Sequence, residues 1–378
     1  MSGGAYRILV VDDSAFMRKA IPLLMAGEPD LEVVGTARDG QDALQKVTEL
    51  QPDAVTLDLE MPVMDGMAAL ARIMAMPPPR PVVLVCSTLT SAGSHAALKA
   101  MRLGAFDFIC KDPGAIGSGA DAFKVELLSK LRGALHGKPL RQTTRPAGPG
   151  RTTPPVSSAS HKPAPAASPA KQAPASYQLP TRSFDLVVIG SSTGGPPVLE
   201  EILSVLPADF PAPIVIAQHM PPLFTRSLAD RMDEACTISV VHAAEGSMPL
   251  VPGTAYVALG GKHAVVRRVG SRLTVEVTAE PTSALYKPSV DVLFASAATA
   301  VGQRVLGIVL TGMGCDGMLG AQRLHSQGAL ILAQAAETCA VYGMPKAVYD
   351  AGLTAAMLTP AQVGAALARL GSPAARAA

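Results

Sequence analysis

The chain has 378 residues and a net charge of +2, which is longer than one ordinary domain and too weakly charged overall to carry an electrostatic address for nucleic acid. Hydrophobic residues reach 48% and aromatic residues only 4%, with no Trp, a composition suited to aliphatic α/β cores. Cys86, Cys110, Cys236, Cys315 and Cys339 are odd in number, scattered and never spaced C-x-x-C, which excludes a disulfide framework or a zinc site and suits a reducing cytosol.

No basic start followed by an apolar core opens the sequence, and no uninterrupted apolar run approaches a membrane span. A cytoplasmic protein, not embedded in a membrane, is expected.

From the N-terminus, strands and helices alternate. Strands are expected over Arg7–Val11, Leu31–Thr36, Ala54–Leu57, Pro81–Cys86 and Phe106–Cys110. Helices are expected over Ala15–Met25, around Gly40–Leu50 and over Asp121–Leu135. Five strands in βα alternation imply a doubly wound parallel sheet. Asp12 and Asp13 follow the first strand, Asp58 the third, Ser87 the fourth and Lys111 the fifth. All fall at the carboxyl edge, where such sheets bind ligands. Three carboxylates repel one another unless a cation joins them, and hard oxygen ligands with open positions suit Mg²⁺. A phosphoryl group on one carboxylate would be neutralised by Mg²⁺ and Lys111, with Ser87 donating a hydrogen bond. Any one Asp could simply cap a helix, as Asp13 before Ser14; five groups in this order are poorly explained that way.

This half resembles the receiver domain of response regulators over roughly Tyr6 to Leu135, through VDDSAFMR, LDLEMPVMDG, VCSTLTS and AFDFICK. The resemblance implies that Asp58 is the phosphoacceptor, that Asp12, Asp13 and Asp58 hold Mg²⁺, and that Phe108 occupies the place of a switch aromatic. Where receivers usually have Lys-Pro, this chain has Lys111-Asp112-Pro113, so the following loop is expected to differ.

Residues 136–183 change character. They are rich in Pro, Ala, Ser and Thr, contain no acidic residue, and lack the apolar side chains for a core. A disordered, basic, semi-rigid linker is expected between a domain at 1–135 and one at 184–378.

In Asp185-Leu-Val-Val-Ile-Gly190-Ser-Ser-Thr-Gly-Gly-Pro196, a β-branched run ends in Gly, Ser and Thr, and two prolines open an apolar-periodic segment. That reads as strand, tight turn and helix. Gly190 to Gly194 fits the G-x-S-x-G nucleophile elbow, which exposes a serine beside the free N–H groups of a helix N-terminus. A phosphate cradle or a plain connection fits the same turn. Two further buried strands end near chemistry: Pro213 to Gln218 precedes His219, and Val305 to Leu310 leads to Asp316. At neighbouring strand ends, Ser192, His219 and Asp316 can share one crevice as a triad. Their order, Ser-His-Asp, is not that of α/β-hydrolases.

IGSSTGG, AQHMPP, YKPSVDVLFAS and LTGMGCDG resemble the catalytic domain of CheB, the protein-glutamate methylesterase of bacterial chemotaxis, and the similarity continues from Gln334 to Tyr349. It implies a Rossmann-like esterase domain with Ser192 as nucleophile, His219 as base and Asp316 as its orienter. Thr193 and Met313 fall at the oxyanion hole and substrate groove, Met313 by its backbone N–H. Ser191 is the weaker nucleophile candidate, since Ser192 holds the centre of the elbow. Cys315 reads as a small turn residue and Asp291 as a helix-start residue. Lys287-Pro288-Ser289 is a candidate groove wall. His242 and His263 are expected at the surface or core edge, and His95, His136, His161 and His325 outside any constellation.

The expected function is a phosphorylation-activated esterase acting on glutamate methyl esters of methyl-accepting chemoreceptors, and deamidating receptor glutamines through the same tetrahedral state. Its phosphodonor would be a CheA-type histidine kinase, its one cofactor Mg²⁺ at the receiver, and nucleic acid no partner. A DNA-binding output would require a small basic helical domain after the linker. A nucleotide binder would require a P-loop Lys, and would leave His219 and Asp316 unexplained. The same esterase in another sensory pathway remains an alternative.

Overall fold

The computed structural model describes residues 4–88, 90–111, 120–135, 177–180, 182–244 and 246–370. The linker expectation falls almost wholly outside these residues, as do Asp112 and Pro113.

The first sheet holds β1 (Tyr6–Val11), β2 (Leu31–Ala37), β3 (Ala54–Asp58), β4 (Val82–Thr88) and β5 (Asp107–Lys111). All pairs are parallel in the order β2-β1-β3-β4-β5. Helices α1 (Ala15–Met25), α2 (Gly40–Leu50), α3 (Gly66–Met74), α4 (Ser91–Arg102) and α5 (Ala120–Leu135) connect and close it. The strands read as continuous apolar runs because both faces are buried. Polar residues between strand and helix are caps: Ser14, Asp39, Asp65 and Thr90 each accept a backbone N–H from the first turn of the next helix. Ser14, and not Asp13, caps α1.

The second unit contains β6 (Leu186–Ser191), α6 (Gly195–Leu203), β7 (Ile214–Gln218), α7 (Pro222–Ala235), β8 (Ser239–Ala243), β9 (Ser247–Pro249), β10 (Thr254–Ala258), β11 (His263–Val269) and β12 (Arg272–Thr278). It continues through α8 (Val290–Val301), β13 (Val305–Val309), α9 (Met318–Ser326), β14 (Leu330–Gln334), α10 (Met344–Asp350), β15 (Ala356–Leu358) and α11 (Pro360–Leu370). Its seven-stranded parallel sheet has the order β15-β14-β13-β6-β7-β10-β8. Both sheets are thus the doubly wound parallel type read from the sequence. A third, antiparallel sheet of β11, β12 and β9 was not expected. It flanks the second sheet and packs against α8.

The chain order of the second sheet reverses at β6, whose neighbours β13 and β7 come from opposite directions. A crevice therefore opens at the carboxyl ends of these three strands. In the first sheet the reversal lies between β1 and β3.

The two units touch. Phe108 on β5 stacks on Phe224 of α7, with ring centroids 4.4 Å apart and planes 5° from parallel. On α4, the Ser94 hydroxyl lies 2.6 Å from that of Ser227 on α7, with both side chains buried. Arg102 pairs with Glu200 of α6 at 3.6 Å. Core residues of both units belong to one hydrophobic cluster running through this contact. A second contact joins α5 to the loop after β13. The Ser129 hydroxyl meets the Met313 sulfur, and Gly133 leaves room for it, since a Cβ there would lie 2.6 Å from Met313 Cε.

Candidate active site

Ser192 follows β6 directly, and its backbone N–H donates to the Thr311 carbonyl beyond β13. Gly194 has φ +76°, a left-handed turn where a side chain would also strike Ala340 Cβ at 2.4 Å. A Cβ at Gly195 would lie 2.1 Å from Gln218 Oε1, and one at Gly312 would lie 2.8 Å from Ser192 Cβ. The glycines of the motif are required by close approach as well as by the turn.

Ser191 and Ser192 separate cleanly. The Ser191 hydroxyl is fully buried and donates to Gln218 Oε1 at 2.6 Å. Gln218 Nε2 in turn donates to the Ser192 carbonyl at 2.8 Å, and the His219 N–H donates to the Ser191 carbonyl. Ser191 and Gln218 thus tie the ends of β6 and β7 together. Ser192 is half-buried and lines an open cavity with Thr193, His219 and Met313.

His219 Nε2 lies 2.7 Å from Asp316 Oδ2. The carboxylate accepts further hydrogen bonds from the N–H groups of Val290 and Asp291 at the start of α8 and from the Ser289 hydroxyl, at 2.7 to 3.0 Å. Burial raises the Asp316 carboxyl, but the His219 hydrogen bond and charge, with these backbone donors, outweigh it and hold it at about 2. The Asp316 carboxylate faces Nε2, so Nε2 is the ring nitrogen that donates to it and Nδ1 is the one left free to accept. Nδ1 is buried without a hydrogen-bond partner among the described residues. The Tyr286 ring stacks on the imidazole at 4.2 Å and 10°, fixing its plane.

Asp291 does start α8, and it does more. Its Oδ1 accepts from the N–H groups of Gly317 and Gly320 at 2.9 and 2.7 Å, pinning the turn that carries Asp316. Burial, then the nearby Asp316 charge, push its own carboxyl up. His263 is not at the surface or core edge. It is fully buried, and its Nδ1 accepts the Ser289 N–H at 3.2 Å. His95 belongs to the contact between units, 3.4 Å from the Ser227 hydroxyl. His242 bonds Thr225 at 3.1 Å. Among the described residues the Met313 N–H makes no hydrogen bond, and the side chain packs toward α5.

At the edge of the first sheet, one oxygen each from Asp12, Asp13 and Asp58 lie within 4.8 Å of one another. Asp12 and Asp58 are buried and Asp13 is exposed. Lys111 Nζ bridges Asp12 and Asp58 at 2.7 Å to each. Burial raises the Asp58 carboxyl, and the Lys111 cation only partly offsets this. An all-carboxylate donor set at this spacing fits Mg²⁺. Ser87 does not bond Asp58; its hydroxyl donates to the Gly93 carbonyl in the first turn of α4 at 2.9 Å. Phe108 is buried under Phe224, with the Lys130 ammonium 5.1 Å from its ring centroid.

One sheet edge gathers three carboxylates and a lysine, and the other a serine, a histidine and an aspartate, a combination that suits one class: a response regulator with an enzymatic output. The CheB methylesterase family profile matches residues 187–367, and that of the response regulator receiver domain matches residues 8–115. The chain is 47% identical over 353 residues to protein-glutamate methylesterase/protein-glutamine glutaminase 1 of Oleidesulfovibrio alaskensis, covering 92% of this chain and 94% of that protein. It is 46% identical over 362 residues to protein-glutamate methylesterase/protein-glutamine glutaminase 2 of Nitratidesulfovibrio vulgaris, again covering 92% and 94%. The crystal structure of the Thermotoga maritima CheB methylesterase catalytic domain aligns at 38% identity and TM-score 0.48, over 50% of this chain and all of that one. The chain belongs to the CheB methylesterase family. No helix among the described residues is long and apolar enough to cross a membrane.

Proposed function

We propose that the chain removes methyl groups from glutamate γ-methyl esters of chemoreceptors and deamidates receptor glutamines, with Ser192, His219 and Asp316 as the triad. The observation that carries this is the Asp316–His219 pair, which leaves His219 Nδ1 without a hydrogen-bond partner among the described residues, in a side chain that lines the same cavity as Ser192. In this reading Nδ1 takes the Ser192 proton as Oγ attacks the ester carbonyl. The oxyanion forms beside the N–H groups of Thr193 and Met313. Methanol, or ammonia from a glutamine, leaves with the proton from His219, and water then hydrolyses the acyl-enzyme. Ser192→Ala should lower methanol release from methylated receptors by on the order of 10³-fold or more with folding preserved. Turnover like that of the wild type would remove Ser192 as nucleophile.

The division into a receiver at 1–135, a linker at 136–183 and a catalytic domain at 184–378 belongs to the same proposal. Asp58 accepts the phosphoryl group from a histidine kinase of the CheA type, and Asp12, Asp13 and Asp58 hold Mg²⁺. That ion supplies charge neutralisation for the incoming phosphoryl oxygens. Lys111 already sits between two of the carboxylates. Drawing the Ser87 hydroxyl toward a phosphoryl group would break its bond to the Gly93 carbonyl. Gly93 adjoins Ser94, and α4 carries the contact to α7, so this change loosens the receiver's cover of the crevice. Since the outcome is a population shift, basal activity is low but not zero.

A further inference from the structure

Asp316 is held by the first turn of α8, and that turn must itself be held. Ser289, the N-cap of α8, accepts the Val292 N–H on its hydroxyl oxygen and donates the hydroxyl proton to Asp316 Oδ1. The next two N–H groups, of Val290 and Asp291, donate to the same carboxylate. The placing of Asp316, and through it of His219 Nε2, therefore depends on where Ser289 sits. Ser289 is buried, so its own backbone N–H needs a partner inside the protein.

That partner comes from the antiparallel sheet. His263, the first residue of β11, is fully buried and accepts the Ser289 N–H on Nδ1 at 3.2 Å. With Nδ1 accepting, the ring proton lies on Nε2, which is 3.2 Å from the Pro281 carbonyl. Both ring nitrogens are engaged, so the imidazole is fixed in plane and tautomer. Two residues earlier in both segments, the Gly261 N–H donates to the Lys287 carbonyl at 2.9 Å. Further along β11, the Val266 N–H donates to the Ser296 hydroxyl oxygen of α8 at 3.0 Å. The strand thus runs along the start of α8, with His263 seated behind its cap. A side chain that only filled this space would need no acceptor, and an aliphatic one would leave the Ser289 N–H buried and unpaired.

We propose that His263 is a positioning residue for ester hydrolysis: it fixes the Ser289 cap, the cap fixes Asp316, and Asp316 sets the His219 imidazole against Ser192. This rests on the reading of Ser192, His219 and Asp316 as the triad. Neither His263 nor Ser289 lines the cavity that holds Ser192, so the effect falls on kcat and not on substrate binding. A misplacement of about 1 Å at a reacting group can cost on the order of 10²-fold in rate, so a small drift of the cap is enough to register.

Two amides separate the roles of the ring nitrogens. His263→Asn can place its oxygen near the Nδ1 position, whereas His263→Gln places its amide near Nε2 and leaves the Ser289 N–H without its acceptor. The assay is steady-state methanol release from methylated receptors by the full-length chain, with acetyl phosphate and Mg²⁺ present throughout and folding stability measured by denaturant titration. His263→Gln should lower kcat about tenfold or more with KM within about threefold, and His263→Asn should retain at least about a third of the wild-type kcat. His263→Leu, of similar volume and also without an acceptor, should behave as His263→Gln does. Combining His263→Gln with Ser289→Ala should cost at least about threefold less than the product of the two single losses, because both act on one carboxylate. The proposal is overturned if His263→Asn loses as much kcat as His263→Gln, if the loss appears in KM, if kcat follows folding stability across the variants, or if the double variant shows the full product. Failure of all the His263 variants to fold would make His263 a packing residue and equally overturn it. Ser192→Ala, measured alongside, keeps the two readings apart. If it is inactive while His263→Gln turns over like the wild type, only the positioning role falls; if it turns over like the wild type, the triad falls with it.

Discussion

Phe108→Ala should raise the activity of the unphosphorylated chain. Phe108 belongs to the receiver, and its ring lies flat on Phe224 of α7, three residues beyond the Pro221 that follows the His219 loop. Only contacts between the two units bias the cover. Those Phe108 makes within the receiver, such as the Lys130 ammonium over its ring, exist whether the cover is on or off and cancel. What remains is the stack, worth about 0.5–1.5 kcal/mol beyond its buried area. At about 1.4 kcal/mol per tenfold, loss of the stack alone should raise the uncovered fraction roughly 2- to 12-fold while the covered state still dominates, and the apolar area that Phe108 buries between the units adds to this floor. Phe108→Leu keeps most of the apolar volume and should give a smaller rise. The assay is methanol release from methylated receptors without phosphodonor, with phosphoryl uptake as the check that the receiver is folded. A Phe108→Ala chain that takes up phosphate normally yet shows wild-type basal release would refute the claim that this contact holds the cover closed.

Three other outcomes follow from the geometry. Gln218→Ala unties Ser191 and the Ser192 carbonyl and should lower kcat about tenfold with little change in KM, whereas Ser191→Ala should retain turnover within about tenfold; steady-state kinetics on methylated receptors separates them. The depressed Asp316 carboxyl contributes stability that is present above the unfolded carboxylate value and lost as pH falls through its folded value of about 2. Asp316→Asn should therefore cost on the order of 2 kcal/mol near neutral pH, with the difference from the wild type shrinking between about pH 4 and pH 2 in denaturant titrations. Incubation with acetyl phosphate should give one phosphoryl adduct by intact mass, absent in Asp58→Asn and prevented by EDTA; an adduct in either condition would contradict the Mg²⁺-dependent assignment of Asp58.

Ser192, His219 and Asp316 were legible because each interrupts the sequence just past a buried apolar run, where α/β sheets place their ligands. Their supports were not. Gln218 reaches Ser191 across 27 residues, and Ser289 and Asp291 reach the Asp316 turn across 25 to 29. Such pairs exist only once the strands are neighbours. His263 looked peripheral because a lone histidine carries no signal of burial. The antiparallel sheet could have been found: HAVVRRV and RLTVEVT flank Gly270-Ser271, a two-residue hairpin connection with Gly270 at φ +60°. Phe108 was placed by its spacing from Lys111, but its partner Phe224 lies beyond the linker, and no local pattern points there.

The most direct test of a phosphorylation-gated esterase is methanol release from methylated receptors by the full-length chain and its Asp58→Asn variant, each with and without acetyl phosphate and Mg²⁺. The account predicts low release by the resting wild type, a rise of roughly tenfold or more with phosphodonor, and no rise in Asp58→Asn. An equal rise in both chains, or none in a wild type carrying a full phosphoryl adduct, would contradict it.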